Sequence, residues 1–246
     1  MPNHIYWMLV DSHQVPPEAW QFLSISELSQ YRAFRFPKRG REWLLGRWNA
    51  KALAHSLPAY RHYPLNQIEI ATRPEGAPYL RLPDRVVPAG CLTISHSGNL
   101  AACALITSPG LQIGVDLEKI EARPGSFVQD YFTGSEQQLV EQYPVDTRAL
   151  LTTLVWSVKE SMLKALGVGL HWDTRRVEVE SLEGILSGGI HSNRWRKISI
   201  REQPDSGRVW MARWRRQDAF VLTLAGYSAA QAPIQSVRLL EKHIEE

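Results

Sequence analysis

The order of hydrophobic and polar positions predicts a chain that begins with a strand and then turns helical. Residues 3–10 alternate as a strand does, and residues 16–34 carry a helical pattern that is opened by prolines. A stronger helical pattern runs from about Glu42 to residue 57. The chain therefore starts with one strand and two helices.

Strand patterns dominate much of the remaining sequence. Residues 67–82 and residues 91–107 each predict two strands joined by a turn, and residues 111–120 predict one more strand. A short helix starts at Thr133 and a long helix ends at Gly167. The final strands are predicted at residues 177–182, 196–201, 208–216 and 219–227.

These elements predict an α+β fold, because strands outnumber helices and each half carries its helices in its middle. We expect two similar halves, each an antiparallel sheet packed with helices. A boundary near Gly110 gives an N-terminal half over residues 1–110 and a C-terminal half over residues 111–246. No sequence repeat demonstrates that the halves arose by duplication.

The composition is that of a globular protein in a reducing compartment. The chain has 246 residues, 44% apolar and 22% charged, and no stretch approaches the roughly 20 apolar residues of a membrane helix. The start lacks the basic segment of a signal peptide. Cys91 and Cys103 have neither metal nor disulfide spacing, so we expect reduced core thiols, a cytoplasmic location and no membrane contact.

Positive charge is concentrated although the net charge is only +3. Lys38, Arg39 and Arg41 lie at or just before the start of the helix from Glu42, where the helix dipole disfavours cations. Free helix N–H groups beside a basic cluster suit a phosphate, and Arg47 and Lys51, one turn apart from each other, extend the cluster. An accidental basic surface is the alternative.

Two acids share one face of the strand predicted at residues 111–120. Gly114, Asp116 and Glu118 point to the same side, because side chains alternate along a strand. Carboxylates at this spacing, roughly 7 Å apart, repel each other unless a cation neutralises them, and magnesium prefers oxygen ligands. A solvated strand face with two unrelated acids explains the pattern equally well.

The long helix carries a second candidate cluster on the side away from its apolar stripe. Trp156, Glu160 and Lys164 recur there every fourth residue, together with Leu163. A surface Glu–Lys pair is worth only about 0.3–0.5 kcal/mol and leaves the Trp and Leu exposed. A second packed layer or a cleft explains the whole set, and we favour a cleft in which Glu160 is a third carboxylate and Lys159 and Lys164 meet phosphates.

Two further polar segments have local explanations. Ser95 and His96 lie in a Ser-His-Ser-Gly turn, whose serines can bond the backbone, although His96 could also contact a phosphate. Glu136 completes a capping box with Thr133, and the local sequence favours that role over a chemical one.

Three motifs in this order resemble the 4′-phosphopantetheinyl transferases of the surfactin-synthetase-activating type. The family patterns are G-x-D-x-E, F-x-x-x-E and W-x-x-K-E-x-x-x-K. The chain matches them with "GVDLE" from Gly114, "FTGSE" from Phe132 and "WSVKESMLK" from Trp156. The Ser-His-Ser turn and the basic helix start also match, so the resemblance covers about residues 30–226.

The resemblance implies a pseudo-two-fold monomer with coenzyme A bound in a cleft between its halves. It implies that magnesium is held by Asp116, Glu118 and Glu160. The residues implied at coenzyme A phosphates are Ser95, His96, Lys159 and Lys164, with Arg41 and Arg47 as candidates for the 3′-phosphate, and Lys38 and Arg39 beside them. Many members have Gly-Lys-Pro where this chain has Ala77 between Gly and Pro, so Arg73 or the basic cluster takes over that role.

The implied reaction moves phosphopantetheine from coenzyme A to a serine hydroxyl of an acyl- or peptidyl-carrier protein. A serine hydroxyl needs a base at neutral pH, and Glu160 is the first choice, with Asp116 second. Lys164 would assist the leaving group. Nucleic acid is not an expected partner.

Two other classes of function remain open from the residues alone. A magnesium-dependent nuclease also uses clustered acids and a lysine, although here Lys159 precedes Glu160 and the strand lacks the usual spacer before its lysine. A non-catalytic nucleic-acid-binding module would explain the interleaved Arg and Trp of "RVWMARWRRQ". Strand alternation, with Trp inward and Arg outward, explains the same pattern without a ligand.

Overall fold

A computed structural model describes residues 3–16, 18–87, 91–107, 110–183, 185, 193–228 and 237–244. Its helices are α1 (Ile25–Arg32), α2 (Pro37–His55), α3 (Gly125–Tyr131), α4 (Gly134–Glu141) and α5 (Val145–Leu166). Its strands are β1 (Asn3–Asp11), β2 (Glu69–Thr72), β3 (Pro78–Arg81), β4 (Leu92–Ser97), β5 (Leu100–Ile106), β6 (Leu111–Lys119), β7 (Val177–Ser181), β8 (Arg196–Lys197), β9 (Ser199–Glu202), β10 (Trp210–Gln217), β11 (Phe220–Ser228) and β12 (Val237–Glu241).

The chain divides into two units. The first unit comprises Met1–Leu111 and Gln235–Glu246, and the second comprises Gln112–Ile234. The predicted C-terminal half ran to residue 246, but the last strand belongs to the first unit, because β12 pairs in parallel with β1. The boundary between Leu111 and Gln112, by contrast, lies within two residues of the boundary predicted near Gly110.

Each unit contains a four-stranded sheet that carries its long helix. The first sheet has the order β12-β1-β5-β4 and packs against α2. The second has the order β6-β11-β10-β8 and packs against α5. Two-stranded antiparallel sheets, β2-β3 and β7-β9, complete the units. The predicted α+β class is confirmed, with β1–β12 as a parallel pair in an otherwise antiparallel first sheet.

The two units repeat one order of elements. The first runs β1-α1-α2-β2-β3-β4-β5, and the second runs β6-α4-α5-β7-β9-β10-β11, with α3 and β8 as additions. In the first sheet β1 lies beside β5, and β5 lies beside β4. In the second sheet β6 lies beside β11, and β11 lies beside β10. The prediction of two similar halves is therefore confirmed, and the similarity extends to strand order.

Several predicted elements differ from the observed ones. The helix predicted over 16–34 is a 3₁₀ turn at Ala19–Gln21 followed by α1, whose N-cap Ser24 has a capping box with Glu27. Helix α2 begins at Pro37 and not near Glu42, since proline suits the first helical position. The strand predicted over 196–201 is split between β8, which pairs with β10, and β9, which pairs with β7.

The predicted end of the long helix is confirmed. Helix α5 ends where Gly167 adopts a left-handed conformation, with φ of 72°, which glycine tolerates without strain. Cys91 and Cys103 are buried free thiols. No helix in the described part of the chain is long and apolar enough to cross a bilayer.

Candidate functional site

Strand β6 and helix α5 make an unusually close contact in the second unit. A Cβ atom added to Gly114 would lie 1.9 Å from the carbonyl oxygen of Ser161 and 2.7 Å from the backbone nitrogen of Ala165. Only glycine allows the two backbones to approach this closely. The contact explains why the motif begins with glycine, and it sets the acids of β6 beside the polar positions of α5.

The acids on this face of β6 are paired with cations and are not simply solvated. Asp116 is 3% exposed and accepts a hydrogen bond of 2.7 Å from the Lys164 ammonium. Glu118 accepts bonds of 2.9 Å from Arg123 and 3.2 Å from the Trp156 indole. The alternative of two unrelated surface acids therefore does not describe Asp116.

Glu160 shares the electrostatic field of both acids. Burial raises the pKa of Glu160 to about 7; Lys164 opposes this effect, while Asp116 and Glu118 add to it. Burial and Asp116 likewise raise the pKa of Glu118 above its ordinary value, against Arg123 and the Trp156 hydrogen bond. The three carboxylates thus lie near enough to disfavour one another's charge, and Glu160 has the pKa of a group that exchanges protons near neutral pH.

The raised pKa of Glu160 predicts a pH-dependent stability in protein without bound metal. The folded state holds this proton more tightly than the unfolded state, so stability falls as pH rises from 4.5 to about 7. At about 1.4 kcal/mol per pKa unit, the loss is on the order of 3 kcal/mol. Urea unfolding of wild type and Glu160→Gln across this range measures the effect. We expect the fall to shrink in the variant, and an equal fall in both proteins would contradict the assignment.

The carboxylates fit a hard cation by their chemistry. Among the residues that the structure describes, no group of three or more His, Cys, Asp or Glu is arranged as a metal site. Lys164 and Arg123 pair with Asp116 and Glu118, while burial, with a smaller contribution from these two acids, raises the pKa of Glu160. The three side chains offer carboxylate oxygens, which is the donor type that hard cations such as magnesium prefer.

Trp156 and Leu163 belong to a packed layer, so the cleft interpretation does not hold for them. Leu163 is fully buried and Trp156 is 7% exposed. The Trp156 ring packs edge-on against Phe127 and Tyr131 of α3, an element that the sequence pattern did not predict. The polar side of α5 is thus covered by α3 near Trp156, and Glu160 remains only partly buried.

Lys159 does not face a phosphate site. Its side chain is fully buried, and its ammonium donates bonds of 2.6 Å to Glu136 and to the carbonyl oxygen of Val177. Glu136 also forms the predicted capping box with Thr133, which is confirmed. Lys159 and Glu136 therefore form a buried ion pair inside the second unit, and Lys164 is the motif lysine beside the acids.

Predicted phosphate residues of the first unit surround one cavity. The cavity has a volume of about 860 Å³ and is lined in part by Lys38, Arg39, Arg47 and His96. Burial lowers the pKa of the Arg47 guanidinium from its ordinary value, against Glu27, which lies 3.8 Å from it. The cavity is a candidate site for an anion.

The remaining predicted phosphate residues do not line this cavity. Arg41 is exposed, Arg73 packs over the Tyr79 ring at 5.0 Å, and Ser95 is buried in β4. His96 itself lies within β4 and not in the turn, since it pairs with Ala101 and the turn follows at residues 98–99. Strand geometry therefore sends Ser95 and His96 to opposite faces.

Sequence reasoning missed two residues at these sites. Trp43 lines the cavity, with the Arg47 guanidinium 4.6 Å from its ring centroid. Its position, one helical turn from both Arg39 and Arg47, was a usable signal. Arg123 bonds Glu118 from the loop before α3, and no periodic pattern marks such a residue.

The interleaved Arg and Trp residues of β10 follow strand alternation. Trp214 is 1% exposed and belongs to the hydrophobic core of the second unit. Arg213 and Arg215 point to the opposite face of the sheet. Arg215 is nevertheless 7% exposed, so the expectation of an outward arginine is wrong at this position. Trp214 is therefore a core residue and does not offer its ring to a nucleic-acid base.

Comparisons with known proteins agree on one family. Residues 112–225 match the 4′-phosphopantetheinyl transferase superfamily. The 4′-phosphopantetheinyl transferase HetI of Nostoc sp. is 32% identical over 153 residues, which cover 60% of this chain and 61% of that protein. The 4′-phosphopantetheinyl transferase psf-1 of Bacillus pumilus is 26% identical over 151 residues, with coverages of 61% and 60%. The matches thus span about three fifths of these relatives.

Two further proteins resemble this chain over different shares of its length. A putative 4′-phosphopantetheinyl transferase of Synechocystis sp. is 25% identical over 221 residues, which cover 86% of this chain and 87% of that protein. Among solved structures, the holo-[acyl-carrier-protein] synthase of Thermotoga maritima gives a TM-score of 0.35 at 22% identity, over 47% of this chain and 62% of that one.

Proposed function

We propose that this chain is a 4′-phosphopantetheinyl transferase, which transfers phosphopantetheine from coenzyme A to a serine of an acyl- or peptidyl-carrier protein; the family match over residues 112–225 and the two similar transferases support this. The adenosine 3′,5′-bisphosphate portion of coenzyme A is the leaving group. One observation carries the proposal: Asp116, Glu118, Glu160 and Lys164 converge in the segment that matches the family. We assign the chain to the surfactin-synthetase-activating type on its motif pattern.

In the proposed reaction the serine oxygen forms a bond to one phosphorus of the pyrophosphate, and the bond from that phosphorus to the bridging oxygen breaks. The bridging oxygen leaves as part of adenosine 3′,5′-bisphosphate. Glu160, in its ionised form, is the proposed acceptor of the serine proton, because a general base must be unprotonated to take up a proton. The Lys164 ammonium, whose side chain is 27% exposed, stabilises charge on the leaving phosphate.

Magnesium is the proposed cofactor, held by Asp116, Glu118 and Glu160. When bound, it would supply a positive charge that polarises the pyrophosphate. The chain's own contribution is a set of three oxygen donors, two of which are already oriented by hydrogen bonds to Lys164, Arg123 and Trp156.

Coenzyme A phosphates are the proposed anions at the cavity of the first unit. Arg39 lines this cavity, whereas Arg41 on the same helix is exposed and outside its lining. We expect Arg39→Gln to weaken coenzyme A binding about tenfold, the usual scale for losing one charged hydrogen bond, and Arg41→Gln to weaken it far less. Calorimetric titration measures both affinities, and equal losses would contradict the assignment.

We further propose a monomer that works in the cytoplasm, with carrier proteins as its macromolecular partners. The two buried free thiols are compatible with a reducing compartment. Which class of carrier is served is left to experiment, since fatty-acid, polyketide and non-ribosomal peptide carriers all present a serine.

Mass spectrometry of an apo-carrier protein incubated with this protein, coenzyme A and magnesium tests the proposed function. A panel of the three carrier classes is used, and an excess of chelator provides the control. We expect a mass gain of one phosphopantetheine group on at least one carrier, and none with chelator. An unmodified panel together with cleavage of DNA by the same preparation would favour the nuclease instead.

A further inference from the structure

The buried ion pair of Lys159 and Glu136 ties together three elements of the second unit. Glu136 accepts a hydrogen bond of 2.9 Å from the backbone nitrogen of Thr133, which caps α4, and another of 2.9 Å from that of Val179 in β7. Lys159, on α5, donates to Glu136 and to Val177 of β7, each at 2.6 Å. Both side chains have no exposed surface.

The first unit contains the same ion pair in the same setting. Glu27 accepts from the backbone nitrogens of Ser24, the cap of α1, at 2.9 Å and of Ile70 in β2 at 3.0 Å. Its partner is Lys51 of α2, at 2.6 Å, with exposed fractions of 0% and 1%. The short helix, the long helix and the following strand are thus joined by one Glu–Lys pair in each unit.

The sequence around the two lysines repeats as W-x-x-K. Trp48 and Lys51 on α2 correspond to Trp156 and Lys159 on α5. The residue after each Trp bonds a central strand of its own sheet: Asn49 donates to the carbonyl oxygen of Ala101 at 2.7 Å, and Ser157 lies 2.9 Å from the Thr223 hydroxyl. The correspondence between the units therefore includes the ion pair and also a polar contact between each long helix and its sheet.

The two helices differ at the positions that carry the proposed chemistry. Ala52 stands after Lys51, where Glu160 stands after Lys159, and Ser56 stands where Lys164 does. The first unit has therefore kept the ion pair without the acid and the second lysine. This contrast separates the pair from the chemistry, because the pair persists where no reactive acid follows it.

We propose that Glu136 and Lys159 are positioning residues, which fix the rotation of α5 so that Glu160 faces Asp116 and Glu118. This inference rests on the proposed function for its catalytic meaning. Successive side chains on a helix point about 100° apart, so a Lys159 held toward α4 and β7 sets the direction of Glu160. Buried ion pairs contribute little net stability but can specify one arrangement over its alternatives.

The test compares matched double variants in the two units. Glu136→Gln with Lys159→Met removes the pair beside the acids, and Glu27→Gln with Lys51→Met removes its counterpart. Removing both charges avoids leaving one buried and unpaired, which is the costly case. Urea unfolding reports the stability of each variant, and calorimetric titration with magnesium alone reports metal affinity. Should a double variant not fold, Glu136→Asp and Glu27→Asp, which keep both charges but shorten the acidic side chain, replace them.

We expect both double variants to change stability to a similar extent. Only the variant of the second unit should bind magnesium at least about tenfold more weakly, the usual scale for losing a residue that orients metal ligands. Undiminished magnesium affinity in that variant, or an equal loss in both, would overturn the inference.

A readout without metal separates this inference from the proposed function. The indole N–H of Trp156 donates to Glu118, and its NMR signal is assigned by comparison with Trp156→Phe. If wild type neither binds magnesium nor modifies a carrier, the proposed function fails. The positioning role then stands if the signal moves in the second-unit variant alone, and it falls if the signal is unchanged there or moves equally in both.

Discussion

A Gly114→Ala variant is expected to lose about 3 kcal/mol of unfolding free energy or more, at or above the upper end of the range for overpacked interiors. The added methyl group would meet the backbone of α5 at Ser161 and Ala165, 1.9 Å and 2.7 Å away. Neither is the flexible end of a side chain, so strand and helix must separate. Urea unfolding followed by circular dichroism measures the loss.

Gly134→Ala is the matched control for this prediction. Gly134 opens α4, and no atom lies within 4 Å of a Cβ placed there. We expect this control to unfold like wild type or slightly later, since alanine favours a helix over glycine. A Gly114→Ala variant as stable as the control would show that β6 and α5 do not approach as closely as described.

Asp116→Asn is expected to reduce the rate of phosphopantetheine transfer by about 10²–10³, the scale for losing one electrostatic group from a reaction site. The substitution keeps the size of the side chain and removes the charge that pairs with Lys164 and would bind magnesium. The rate is followed by mass spectrometry of the carrier. Glu141→Gln, an exposed residue on α4, is the control and should retain wild-type turnover. Near-normal transfer by Asp116→Asn would remove this acid from the mechanism.

Local sequence signals predicted those features whose cause is local. The capping box of Thr133 and Glu136 and the end of the long helix at Gly167 depend on neighbouring residues only, and both are confirmed. Strand alternation likewise put Asp116 and Glu118 on one face. These determinants act over a few residues, which is the range that a sequence pattern reports.

The features that were missed depend on contacts distant in sequence. Strand β12 is defined by its pairing with β1, more than 200 residues earlier. Lys159 was expected at a phosphate, but its direction depends on Glu136 and β7, which cover that side of α5. A helical repeat shows which residues share a side of the helix; it does not show which element covers that side.

Binding of magnesium to the wild-type protein, followed by isothermal titration calorimetry, tests most directly whether three carboxylates from β6 and α5 form one cation site. We predict one ion per chain, with proton release near pH 7 as Glu160 ionises, and greatly weakened binding in Asp116→Asn. Absence of magnesium binding to the wild type, or equal affinity in the variant, would contradict the account.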